Sequence, residues 1–225
     1  MKNYIFLIVL LFPLNYSVAQ EMKVIRDLRF NGEIGVEKTF FKNWKIGVET
    51  TLKLEKNASR IDEIDFDIST DYSPINFLSF GLGYRLAYNQ KSDSTYEKKY
   101  RYYAQAEFDQ NIKRFKLEYR FRYQNIDDDF FQYEKDYPSK SILRNRLQLA
   151  YNIPKLPVEP FTYAELYGLL KKNEDFASKI KLALGIRYNL KKYGKVKAYY
   201  RIDIELNSLY PYTFYTIGLN YTFDF

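Results

Sequence analysis

Residues 78–88 read Leu-Ser-Phe-Gly-Leu-Gly-Tyr-Arg-Leu-Ala-Tyr. Every second residue is apolar: Leu78, Phe80, Leu82, Tyr84, Leu86 and Tyr88. Between them stand Ser79, Gly81, Gly83, Arg85 and Ala87. A period of two puts the two sets on opposite faces of one β-strand. The polar set does not suit the outside of a soluble protein. On a water-facing strand glycine only weakens the pairing, whereas beside a long arginine in a confined space it makes room. The stretch therefore predicts a strand with apolar side chains outside and charge inside, the reverse of a soluble barrel.

The same pattern recurs. Trp44–Glu55 carries Trp44, Ile46, Val48, Thr50, Leu52 and Leu54 on one face. Phe115–Tyr123 sets five apolar residues against Lys116, Glu118, Arg120 and Arg122. Ile180–Leu190 and Val196–Leu206 repeat the arrangement. None of these apolar faces holds a charge, as expected where a central Lys or Arg costs about 2–4 kcal/mol against lipid. Less regular strands are expected at Leu28–Lys38, Ile64–Tyr72, Tyr100–Asp109, Leu143–Asn152, Phe161–Tyr167 and Tyr212–Phe225, giving eleven segments. Their connections alternate in length. Thr39–Asn43, Ser73–Phe77, Gln110–Arg114, Ile153–Pro160 and Lys191–Gly194 are short. Lys56–Glu63, Asn89–Lys99, Gln124–Ser141, Gly168–Ala177 and Asn207–Pro211 are mostly longer and more polar. Short turns inside and long loops outside are the rule for barrels in an outer membrane. The expectation is a single all-β domain, an antiparallel transmembrane β-barrel. Because bacterial barrels favour an even count, about twelve strands are expected, with an extra short strand at Met22–Arg26; ten is the alternative.

Both ends of the chain agree. Lys2 precedes an apolar run from Tyr4 to Leu14, and Ser17-Val18-Ala19 has the small-x-small form of a cleavage site. Residues 1–19 are read as a cleaved signal peptide and 20–225 as the barrel, which leaves 206 of the 225 residues. The last residues, Tyr221-Thr222-Phe223-Asp224-Phe225, alternate rings and polar groups up to a terminal Phe. Such a strand is what the barrel-assembly machinery would take hold of. The expected location is the cell outer membrane, with its lipid as a partner.

Composition narrows the chemistry. The chain has no Cys and no His. No disulfide, Ser–His or Asp–His pair or His metal site can be built. A non-enzymatic protein without a cofactor is expected. Tyr 24, Phe 18 and a single Trp make it 19% aromatic, which suits ring girdles at two headgroup levels. The net charge of +7 falls to +6 once Lys2 is removed. For an exported chain this points to anionic lipid or an anion-favouring lumen rather than to nucleic acid.

With the polar faces inward, early strands supply an acidic wall: Glu33, Glu37, Glu49, Asp65, Asp67 and Asp71, with Glu165 among later tyrosines. Middle and late strands supply a basic wall: Arg85, Arg101, Arg120, Arg122, Arg144, Arg146, Lys179, Lys181, Arg187 and Arg201. Two readings stand side by side. Charges paired across the bore would stiffen and fill it; a basic wall left open would select anions. Asp62, Glu63, Asp65 and Asp67 offer carboxylates for a hard cation such as Ca²⁺, but alternating strand acids lack the loop geometry for one. Asp127-Asp128-Asp129 reads as a solvated loop tip.

The chain resembles the small outer-membrane barrels of Bacteroidota-type bacteria known as domain of unknown function 2490. The resemblance rests on the Ser17-Val18-Ala19-Gln20 junction, Arg60, Gly83-Tyr84-Arg85, Arg144 with Arg146, Pro160 followed by Glu165, Gly185 to Tyr188, and the aromatic final strand. The opening strand lacks the expected Trp, and Lys179 and Lys181 stand where Arg is common. The resemblance implies an outer-membrane barrel and no established activity. A narrow channel or small-solute porin with a basic lumen, passing a small anionic solute, is the first expectation. A plugged structural or surface-interaction barrel acting through its outer loops is the second, and a lipid-modifying enzyme the third.

Overall fold

The computed structural model describes residues 25–91, 95–127, 140–170, 176–208 and 211–225. The expected signal peptide and most of the Met22–Arg26 strand lie outside them. Eleven strands are described: β1 (Ile25–Phe40), β2 (Trp44–Glu55), β3 (Arg60–Ile75), β4 (Leu78–Gln90), β5 (Tyr96–Ile112), β6 (Phe115–Asp127), β7 (Lys140–Tyr151), β8 (Val158–Leu169), β9 (Ala177–Asn189), β10 (Lys195–Glu205) and β11 (Tyr212–Asp224). All eleven segments expected from alternation are present. One 3₁₀ turn, Lys191–Tyr193, tightens the β9–β10 connection.

Each strand pairs antiparallel with its chain neighbours, and β1 closes the barrel on β11. Every hairpin reverses direction, so eleven strands leave the first and last running the same way. The closing pair is accordingly parallel, in register from Ile25 opposite Tyr212 to Glu37 opposite Asp224. This seam resolves the parity problem without a twelfth strand. The backbone amide of Phe225 still donates to the Glu37 carbonyl, at 3.1 Å, so the seam holds to the last residue. Pro74, which has no N–H to donate, falls where the β3–β4 register shifts between Tyr72 and Ile75.

The sidedness is inverted as the alternation requires. Ile34, Leu82 and Leu184 are 66%, 62% and 63% exposed, and they belong to an outer belt with Val48, Ile68, Leu147 and Ile217. Rings gather at the ends of this belt. At the short-turn end Trp44 packs on Tyr72 and Phe115 on Tyr151, with centroids 4.8 and 5.0 Å apart. Toward the other end Phe66 meets Tyr88 edge-on at 6.4 Å. Asn145, an outward polar residue, is satisfied by the Tyr119 hydroxyl at 2.7 Å. The interior is the polar side, where Asp65, Asp67, Gln148, Glu165 and Thr216 are all buried.

Inward glycines are spaces for rings. A Cβ on Gly83 would sit 2.1 Å from Tyr103 Cζ, one on Gly218 2.0 Å from Tyr199 Cζ, and one on Gly185 2.6 Å from Phe161 Cζ. Sequence reasoning expected Gly81, Gly83 and Gly185 to make room for Arg and Glu. Gly81 lies instead against Asp71 and Gln105, and it is a Cβ on Gly35 that would sit beside a glutamate, 3.0 Å from Glu49 Cγ.

Candidate functional site: a charged lumen

One cavity of about 1230 Å³ occupies the barrel. It is lined by all six inward residues of β6, from Lys116 to Ile126, and by five of the six of β10, from Lys195 to Asp203. It therefore follows β6 from one end to the other and β10 for most of its length. All ten residues assigned to the basic wall line it: Arg85, Arg101, Arg120, Arg122, Arg144, Arg146, Lys179, Lys181, Arg187 and Arg201. Of the acidic wall, Glu33, Glu37, Glu49, Asp71 and Glu165 line it, while Asp65 and Asp67 lie deeper, 1% and 4% exposed. Among the lining residues sixteen are basic and twelve acidic. With so small an excess, the placement of the charges matters more than their sum.

Strand β3 is where the acids concentrate, and cations from its neighbours cover it. Lys53 of β2 bonds both Glu63 and Asp65. Arg101 of β5 bonds Glu63 and lies 3.8 Å from Asp65. Arg85 of β4 reaches Asp67 at 2.8 Å and Asp65 at 3.5 Å. The Tyr103 hydroxyl donates to Asp67 at 2.9 Å. Each carboxylate has more than one cation or hydroxyl within 4 Å, as a buried carboxylate requires, although Asp65 Oδ1 accepts no hydrogen bond among the described residues. Asp62 is 3.5 Å from Arg29. The chain's own cations thus occupy the acids considered for a metal, and among the described residues no group of carboxylates stands together as a metal site. Glu33 and Glu49 differ from the rest. Glu33 accepts from Asn220 at 2.7 Å across the β1–β11 seam. Glu49 has no ion pair among the described residues.

The opposite wall is arranged differently. Inward positions of β6 and β7 put Arg120 directly across from Arg146, and Arg122 across from Arg144. Like charges facing each other across a strand pair repel. A single carboxylate, Glu165 on β8, answers this square. Arg120 reaches it at 2.8 Å, and Arg144 clasps it with contacts of 2.9, 3.1 and 3.2 Å. Arg122 has only an amide and a ring: its Nε donates to Gln105 at 2.9 Å, and its guanidinium lies 3.9 Å over Tyr103. Arg146 has a ring alone, 5.7 Å over Tyr163. The Nε of Arg120 is buried with no protein acceptor.

Beyond β8 the cations continue. Arg201 and Lys181 share Asp203, at 2.6 and 3.5 Å. Lys197 has no carboxylate and sits among Phe161, Tyr163 and Tyr199, 4.7 to 6.0 Å from their centroids. Arg187 pairs with Glu159. The rings give these cations cation–π contact, which softens their burial without removing their charge.

Sequence reasoning leaves Lys53 and the inward rings Tyr103 and Tyr163 unassigned and offers Glu63 only as a carboxylate for a cation. It sorts Lys197, Tyr199 and Asp203 onto the polar face of Val196–Leu206 without giving them to either wall. Asp127 is corrected: it closes β6 and is 5% exposed, not a loop tip. Asp128 and Asp129 lie outside the described residues.

A family model described as protein of unknown function (DUF2490) matches residues 31–208. No curated protein matches the chain.

Proposed function

The chain belongs to this family of unknown function, and from that premise we propose that it is a narrow, non-enzymatic outer-membrane pore whose lumen favours small anions. The observation that carries the reading is the cavity that follows β6 from end to end, and β10 from Lys195 to Asp203, between polarised walls. Carboxylates on β3 are neutralised by cations within ion-pair distance, whereas Arg122, Arg146 and Lys197 have no carboxylate within that distance among the described residues. A permeating anion would meet this excess in a low-dielectric enclosure, where charge acts strongly. The outer face supports a membrane setting: an exposed aliphatic belt, ring clusters toward both ends and hairpins that are short at one end. In that setting the barrel is an exported protein. Its short turns face the periplasm, and its terminal strand, ending in Phe225, is what the assembly machinery reads. The absence of His and Cys supports a role without catalysis or cofactor.

The test is ion conductance of refolded protein in a planar bilayer under a salt gradient. Discrete steps with a reversal potential favouring the anion are expected. A folded, heat-modifiable barrel without conductance would sink the pore. It would favour a plugged barrel acting through its outer loops, which the dense Glu63–Asp65–Asp67 network makes the second reading.

A further inference from the structure

We propose that the guanidiniums of Arg120, Arg122, Arg144 and Arg146 form a binding site for a doubly charged phosphoryl group, as inorganic phosphate or a phosphate monoester. The proposal deepens the pore reading and rests on the lumen being reachable by solutes. Three observations carry it. First, the β6–β7 register sets two arginine pairs face to face, an arrangement that repels itself unless an anion stands among them. Second, among the described residues Glu165 is the only carboxylate within ion-pair distance of the four; Glu107 stands opposite Arg120 without such a contact, and Arg122 and Arg146 have no ion pair. Third, donors remain. The Nε of Arg120 is buried without an acceptor, and Arg146 makes no hydrogen bond among the described residues. A guanidinium presents a planar fork of N–H groups that matches two oxygens of a phosphoryl group. Halide has neither the charge nor the spread of acceptors to engage two forks at once.

Three of the four are held in place by contacts other than the anion, Arg120 by Glu165 at 2.8 Å. Arg144 is fixed by Glu165 and by Gln124 at 3.1 Å, and Arg122 lies over Tyr103 while donating to Gln105. The site is therefore partly preorganised, which limits the ordering lost on binding. Arg146 is the free arm. Its removal breaks no contact beyond a distant ring, so Arg146→Gln is expected to fold.

The experiment is calorimetric titration of inorganic phosphate into the refolded full-length barrel, at constant ionic strength in chloride. One saturable site per barrel is expected in the millimolar range or tighter, weakened about tenfold or more in Arg146→Gln and in Arg122→Gln. Competition by glycerol 3-phosphate would extend the site to monoesters, and its failure would restrict it to free phosphate. The absence of saturable binding overturns the proposal, as does binding that neither variant changes. Anion-selective conductance without phosphate binding leaves the pore and removes the site. Phosphate binding without conductance keeps the site and removes the pore.

Discussion

The two walls of the lumen are built from the same kinds of residue and end in opposite states. On β3, carboxylates at alternate positions draw Lys53 and Arg85 from the flanking strands and Arg101 from β5, the strand beyond β4, so each charge meets its counter-charge. On β6 and β7 the arginines face each other, and their outer neighbours supply fewer carboxylates than cations: Glu107 of β5 stands opposite Arg120 and Glu165 of β8 opposite Arg146, while Arg122 and Arg144 face Gln105 and Tyr167. The first wall behaves as structure, because a buried carboxylate without a donor is too costly to keep. The second wall keeps charge that nothing in the fold uses. Filling the bore and selecting anions are thus roles of different sectors, and the choice between them does not have to be made for the lumen as a whole.

Substitutions can break this contrast. The largest expected effect is Glu165→Gln. It removes the one carboxylate that, among the described residues, forms ion pairs with Arg120 and Arg144, and should cost about 3–5 kcal/mol, read as a lower denaturant midpoint of the refolded barrel. Asp67→Asn on the opposite wall is expected to cost less, about 1.5–3 kcal/mol in the same assay, because Arg85 keeps Asp65. If the two variants were equally damaging, the walls would not differ. Gly83→Val drives Tyr103 off its seat against Asp67 and beneath Arg122, where the walls meet. About 1–3 kcal/mol is expected, and the Tyr103 environment should change in its near-ultraviolet signal. The smallest effect is Arg146→Gln. It relieves one repulsion and loses no hydrogen bond, so stability should hold or rise by about 0.2–1 kcal/mol. A clear loss of stability there would mean that Arg146 is part of the scaffold.

Much of this was legible before any coordinates. Leu78–Tyr88 and Val196–Leu206 announce an inverted strand because period two sorts side chains by face, whatever the strand pairs with. The ten basic lumen residues follow from the same sorting. Strand ends were less legible. β5 begins at Tyr96, where Glu97, Lys98 and Lys99 blur the alternation, so the reading started at Tyr100. Glu63 was assigned to a loop, next to a register shift at Lys53–Leu54 that alternation cannot foresee. The parallel seam was hidden as well, since a face pattern carries no direction. Most consequential was the opposition of Arg120 with Arg146. It depends on register between strands separated by a long connection, and neither strand encodes that alone.

The central claim is that charge on the β6–β7 wall is surplus to the fold and available to ions. The most direct measurement is the reversal potential under a salt gradient for the native chain beside the double substitution Arg122→Gln with Arg146→Gln, both shown to be folded by heat-modifiability. A native potential favouring the anion, moved toward zero or to the cation side in the double variant, is the expected result. Identical potentials in the two proteins would contradict it.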